Sequence, residues 1–116
     1  MSEHHHQRAL FEWADIAVGQ HPELALLYAV PNGGYRTKSE AGRLRAEGVK
    51  AGVPDVCLPV ARKGYHGAYW ELKYGKGKPS AEQLRWHALL RQQGYYVNVC
   101  WDWVVVKQEI LDYMKG

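Results

Sequence analysis

Two short segments constrain this chain most: residues 53–60 (Val-Pro-Asp-Val-Cys-Leu-Pro-Val) and residues 67–73 (Gly-Ala-Tyr-Trp-Glu-Leu-Lys). Both are rich in β-branched and aromatic residues and bounded by Gly or Pro, the pattern of strands at about 55–60 and 67–73. Pro54 biases Val53 toward an extended backbone, which puts Asp55 at a strand start. Alternate side chains of a strand share a face, so Glu71 and Lys73 point one way and Leu72 the other. An antiparallel hairpin of these strands brings Asp55 close to Glu71. Two carboxylates and one ammonium on a sheet face repel and resist desolvation. A hard divalent cation such as Mg²⁺, or Mn²⁺ in its place, offsets that cost, because it prefers oxygen ligands and keeps waters able to attack a phosphate. Asp55 and Glu71 are therefore the candidate metal ligands. Lys73 is placed to orient the attacking water and to neutralise charge at phosphorus. An ammonium among carboxylates is favoured in its charged form, so this role is preferred over general base.

Around these strands the hydrophobic period predicts an α-β-α-β-β-α-β-α order. Residues 3–18 read as an amphipathic helix with Leu10, Phe11, Trp13, Ala14, Ala17 and Val18 on its apolar side, ended by Gly19 and Pro22. The run 24–30 reads best as a buried strand, with a helical turn at its start as the alternative, and Pro31-Asn32-Gly33-Gly34 as a turn. Ser39 is placed to cap a second helix that Gly48 stops. Ser80-Ala81-Glu82-Gln83 fits a capping box opening a helix to Gln93. Residues 95–101 alternate toward a strand, and 104–114 close with a helix. This order indicates an α/β fold with a central mixed sheet flanked by helices.

Several blocks resemble the virus-type replication-repair nuclease (VRR-NUC) domain, in its stand-alone phage and bacterial form, within the PD-(D/E)XK nucleases. They are Glu3-His4 with Gln7, Pro31-Asn32-Gly33-Gly34, Glu47-Gly48-Val49-Lys50-Ala51-Gly52-Val53-Pro54-Asp55, Glu71-Leu72-Lys73, and Ser80 with Glu82-Gln83. The resemblance covers almost the whole chain and implies a restriction-endonuclease-like fold. It further implies that the Leu72 carbonyl joins the metal ligands, that Glu3 adds an acidic group directly or through water, and that Gln83 lies at the site's edge. Gln83 is equally the reciprocal half of its capping box. Glu3 and Gln7 lie one turn apart and can face the same site. His4 matches the family motif, whereas His5 and His6 are expected to be solvated. Stand-alone relatives act as homodimers on four-way (Holliday) junctions, so the resemblance implies branched DNA as substrate and a two-fold pair of sites.

Composition fits this reading without proving it. The 116 residues suit a single domain spanning 1–116, and five Trp and eight Tyr argue against disorder. Net charge is only +3, but Arg36, Lys38, Arg43, Arg45 and Lys50 precede Asp55, and Lys76 and Lys78 follow Glu71. These flanking cations suit phosphate contact, with Arg36, Lys38, Lys50, Lys76 and Lys78 the candidates alongside Gln7. Asn32 and Gly33 either form only a turn or also let a DNA phosphate approach closely; the two are compatible. Tyr35, Trp86 and Trp103 fit core, interface or base stacking alike. Cys57 and Cys100 lack metal-site spacing and read as buried thiols of a reducing compartment. No apolar run of ~18 residues spans a membrane. No apolar leader with a cleavage site opens the chain, so a cytoplasmic setting in a bacterial or phage-infected cell is expected. Two rival readings remain: a non-catalytic nucleic-acid-binding module on the same fold, and a small interaction protein whose charges are only surface charges.

Overall fold

The computed structural model describes residues 1–31 and 37–116, so the expectations for Asn32, Gly33, Gly34, Tyr35 and Arg36 lie outside the described residues. Four strands form one mixed sheet in chain order: β1 (Tyr28–Ala29), β2 (Val56–Leu58), β3 (Ala68–Leu72) and β4 (Tyr96–Cys100). The β1–β2 and β2–β3 pairs are antiparallel, and β4 runs parallel to β3. The parallel step needs a crossover, supplied by α3 (Ala81–Gln92).

Sheet pleating sorts the residues into two layers. Val56, Leu58, Ala68, Trp70 and Leu72 turn to one face and bury against Leu10 and Ala14 of α1 (Glu3–Ala17) and Val106, Ile110 and Tyr113 of α4 (Trp103–Met114). On that face Glu109 of α4 ties the layers together. Its carboxylate accepts from the Trp70 indole at 3.0 Å, the Tyr96 hydroxyl at 2.7 Å and the Asn98 amide at 2.7 and 2.9 Å. The opposite face carries Cys57 and Glu71, and α3 lies along it with His87 against Glu71. Both cysteines are buried and free, as expected.

Local chemistry sets the helix ends. Ser2 Oγ accepts from the His5 amide while the Ser2 amide donates to His5 Nδ1, a reciprocal cap that holds the first turn of α1. His5 is exposed, but His6 is buried and its Nδ1 accepts the Trp103 amide at 3.2 Å, joining α1 to α4. The expectation of a solvated His6 is thus corrected. Helix α2 (Lys38–Ala46) is capped by Thr37, whose hydroxyl accepts from the Glu40 amide, and not by Ser39. It buries no residue and holds Lys38, Arg43 and Arg45 at the surface.

The run 24–30 is not one buried strand. Pro22 opens a 3-10 helix, Pro22–Leu26, and only Tyr28 and Ala29 pair with β2, both exposed. The buried residues are Leu24 and Leu27, three apart, the 3-10 repeat and not the strand's two. Leu26 and Tyr28 face solvent.

Gly52 fixes the approach to β2. Its φ is +96°, and a Cβ there would stand 2.7 Å from Trp86 Cδ1 and 2.9 Å from the Glu82 carbonyl, both on α3. Trp86 is therefore a packing residue that presses α3 onto the segment leading to Asp55. Gly48 has a similar φ of +101° but open space around it. Gly48→Ala should cost about 1 kcal/mol from backbone strain alone. Gly52→Ala should add overpacking of about 1–3 kcal/mol and lower the melting temperature distinctly more. Equal melting temperatures for the two variants would contradict this packing.

Candidate active site

The β2–β3 register pairs Val56 with Trp70, so one further step sets Asp55 across from Glu71 on the face opposite the main core. Asp55 stands just before β2, as its Pro54 predicts. Its Oδ2 accepts the Leu72 backbone amide at 2.8 Å, which anchors it beside the Glu71 carboxyl. Glu71 is 1 % exposed. Its Oε2 accepts from Gln83 Nε2 at 2.9 Å and lies 3.8 Å from Lys73 Nζ, while Oε1 is 3.2 Å from His87 Nε2. Lys73 leaves the sheet with its amide on the Cys100 carbonyl, extending the β3–β4 ladder past Glu71.

Gln83 performs both roles left open by its sequence. Its Oε1 accepts the Ser80 amide at 2.9 Å as the returning half of the capping box, and its Nε2 holds Glu71. One amide thus fixes the start of α3 and orients a site carboxylate. His87, one turn further along α3, reaches the other Glu71 oxygen. Sequence reasoning did not select His87. The signal was available, since residues four apart on a helix share a face and Gln83 was already a candidate.

The electrostatics are those of an under-compensated pair. Burial, then the charge of Asp55, pushes the Glu71 carboxyl up to about 8, with Lys73 opposing. Burial also raises Asp55, against the Leu72 amide and Lys73, and His4 is close enough to favour its charged form. Burial lowers the His87 imidazole, with Arg91 and Lys73 adding to the effect. A neutral His87 donates to Glu71 through its Nε2–H tautomer. Glu3 is exposed at the start of α1, near enough for its charge to raise Glu71 further. Among the described residues, however, no three His, Cys, Asp or Glu side chains gather as a metal-binding group. A hard divalent ion fits the donor chemistry: two facing carboxyls, both resisting ionisation, with one ammonium 3.8 Å from Glu71.

The remaining candidates differ in exposure. Lys38, Lys50, Lys76 and Lys78 are exposed, and Gln7 is half-buried on α1. Trp103 belongs to the α1–α4 contact, where Lys107 stands 5.9 and 6.0 Å from the Trp13 and Trp103 ring centres. Three surface concavities, lined by Arg62 and Tyr65, by Glu23 and Leu111, and by Tyr96 and Glu109, contain neither Asp55 nor Glu71.

Asp55→Asn tests the strain in the pair. The substituted amide keeps an oxygen for the Leu72 amide and gains an N–H to donate to Glu71. In chelator the variant should melt higher than the parent by a few degrees, on the order of 1 kcal/mol. A lower melting temperature in chelator would show that the two carboxyls do not oppose folding.

Comparison with known proteins bears on the family and the fold. A solved VRR_NUC domain protein superposes with a TM-score of 0.83 at 27 % identity, over 99 % of this chain and 89 % of its own. No curated protein matches the chain. The VRR-NUC domain family matches residues 4–101, a stretch that holds Asp55, Glu71, Lys73, Gln83 and His87 and starts one residue after Glu3. With its α/β mixed-sheet fold and most of its length matched, this chain belongs to the VRR-NUC family of nuclease domains.

Proposed function

We propose that the protein is a divalent-metal-dependent DNA endonuclease that hydrolyses phosphodiester bonds in branched DNA such as four-way junctions, acting as a homodimer. The observation that carries the reading is the buried Glu71 opposite Asp55, with Lys73 3.8 Å from Glu71. Mg²⁺, or Mn²⁺ in its place, would be held by Asp55, Glu71 and the Leu72 carbonyl, with Glu3 adding charge directly or through water. When bound, the ion supplies Lewis-acid activation of water and charge at the scissile phosphate.

The protein's own groups do the positioning. The Leu72 amide fixes Asp55, while Gln83 and His87 fix the two Glu71 oxygens, so neither carboxylate needs to reorganise when substrate arrives. Lys73, 13 % exposed, holds its ammonium 3.8 Å from Glu71, where it can orient water and stabilise charge on a phosphate. Lys76 and Lys78 after the site, and Lys38, Arg43, Arg45 and Lys50 before it, can track the backbone of a polyanion. One domain offers one such site and cuts one strand per encounter. Paired incisions then need a second copy related by a two-fold axis.

Cleavage of labelled junctions, flaps, duplex and single strands in Mg²⁺ tests the reading. Asp55→Asn and Glu71→Gln should abolish cutting while preserving the fold, and excess EDTA should silence the parent. Lys73→Ala should lower the single-turnover rate by roughly 10²–10⁴ with little change in affinity. Full activity of either carboxylate variant, or undiminished cutting in EDTA, would refute the metal site. A monomer by light scattering that cuts junction and duplex equally would refute the assembly and substrate while leaving the metal site standing.

A further inference from the structure

Two large aromatic side chains stand in solvent where the sheet ends beside the carboxylates. Tyr74 follows Lys73 directly and is 49 % exposed; Trp101 follows Cys100, which accepts the Lys73 amide, and is 45 % exposed. Neither is free to drift. The Trp101 indole N–H donates to the Gly77 carbonyl at 2.7 Å, and the Gly77 amide returns to the Tyr74 carbonyl at 2.9 Å, closing the turn 74–77. Gly75 takes φ +59° within that turn, and a Cβ on Gly77 would meet the Tyr74 carbonyl at 3.0 Å. The Tyr74 ring lies 6.5 Å from His6, against the start of α1. Exposed Lys76 and Lys78 are carried on the same loop.

The Trp101 indole is thus held at its N–H edge while nearly half of the residue stays exposed. A fixed ring face beside lysines matches a base whose phosphates those lysines contact, since every nucleobase has a π face and every linkage an anion. Fully paired DNA keeps its bases stacked on one another, so only an unpaired base can use the rings. We infer that Tyr74 and Trp101 form a stacking platform for an unpaired nucleotide of the DNA bound at Lys73. This rests on the nuclease reading and narrows it: among branched DNAs, those presenting an unpaired base beside the cut are held more tightly. Trp101 has the further duty of pinning the loop that displays Lys76 and Lys78.

The test compares a fluorescent duplex carrying a short unpaired bulge with the same duplex fully paired, by anisotropy, in the Asp55→Asn background in Mg²⁺. The inference expects tighter binding of the bulged DNA. The bulged-to-paired affinity ratio should fall on the order of tenfold with Trp101→Ala and with Tyr74→Ala. Tyr74→Ala is the cleaner arm, because the bond from Trp101 to Gly77 survives it. Trp101→Phe, which keeps a ring but loses the N–H, should retain most of the ratio. An unchanged ratio in both alanine variants, no parental preference, or no binding of either DNA would overturn the inference. So would a halved mass of Trp101→Ala by light scattering, which would make this face a contact between copies. Failure of the nuclease reading has a different signature: a ring-dependent ratio in a protein whose parent form cuts no DNA.

Discussion

The organising interaction is the repulsive pairing of Asp55 with Glu71 across the β2–β3 register. Left alone, two facing carboxyls would swing apart; held together, the buried one is pushed up to about 8. Here each is tied by groups that belong to secondary structure: Leu72 in the sheet for Asp55, Gln83 and His87 on α3 for Glu71. The scaffold thus holds a locally unfavourable charge arrangement, and the apolar layer of α1 and α4 on the other face supplies the stability that permits it.

This division of labour explains the positions of several residues of no obvious chemistry. Gly52 lets the chain pass under Trp86, so α3 can sit close enough to β3 for its side chains to reach Glu71. Gln83 couples the start of α3 to the site, so a disturbed helix cap is also a disturbed carboxylate. The Glu109 cluster superficially resembles a second acidic site. Its donors are Trp70, Tyr96, Asn98 and the Cys100 thiol, all neutral, and they satisfy the carboxylate as a clamp between α4 and the sheet. One carboxylate is completed by its neighbours, the other is opposed by a second carboxylate, and that contrast distinguishes structure from candidate function.

Much of this was legible in the residues. Alternation and Gly/Pro punctuation located β2, β3, β4 and the helices, and strand pleating put Glu71 and Lys73 on one face before any coordinates. Other features were read only in part or missed. The run 24–30 is apolar enough for a strand, yet Pro22 and the three-residue spacing of Leu24 and Leu27 favour a 3-10 turn. His6 looked like one of a solvated trio, but its place on the α1 face next to α4 buries it, and the Trp103 amide is its partner. His87 was missed although it lies four residues after Gln83 on the same helix face. The exposed Trp101 and Tyr74 were equally invisible, since burial of an aromatic depends on where strands stop.

Locating manganese crystallographically addresses the central claim most directly. Crystals of the protein grown with Mn²⁺ should give an anomalous difference peak between Asp55 and Glu71, within about 2.0–2.2 Å of carboxylate oxygens and close to the Leu72 carbonyl. A well-ordered crystal without that peak at millimolar Mn²⁺, or with its manganese bound elsewhere, would contradict the account.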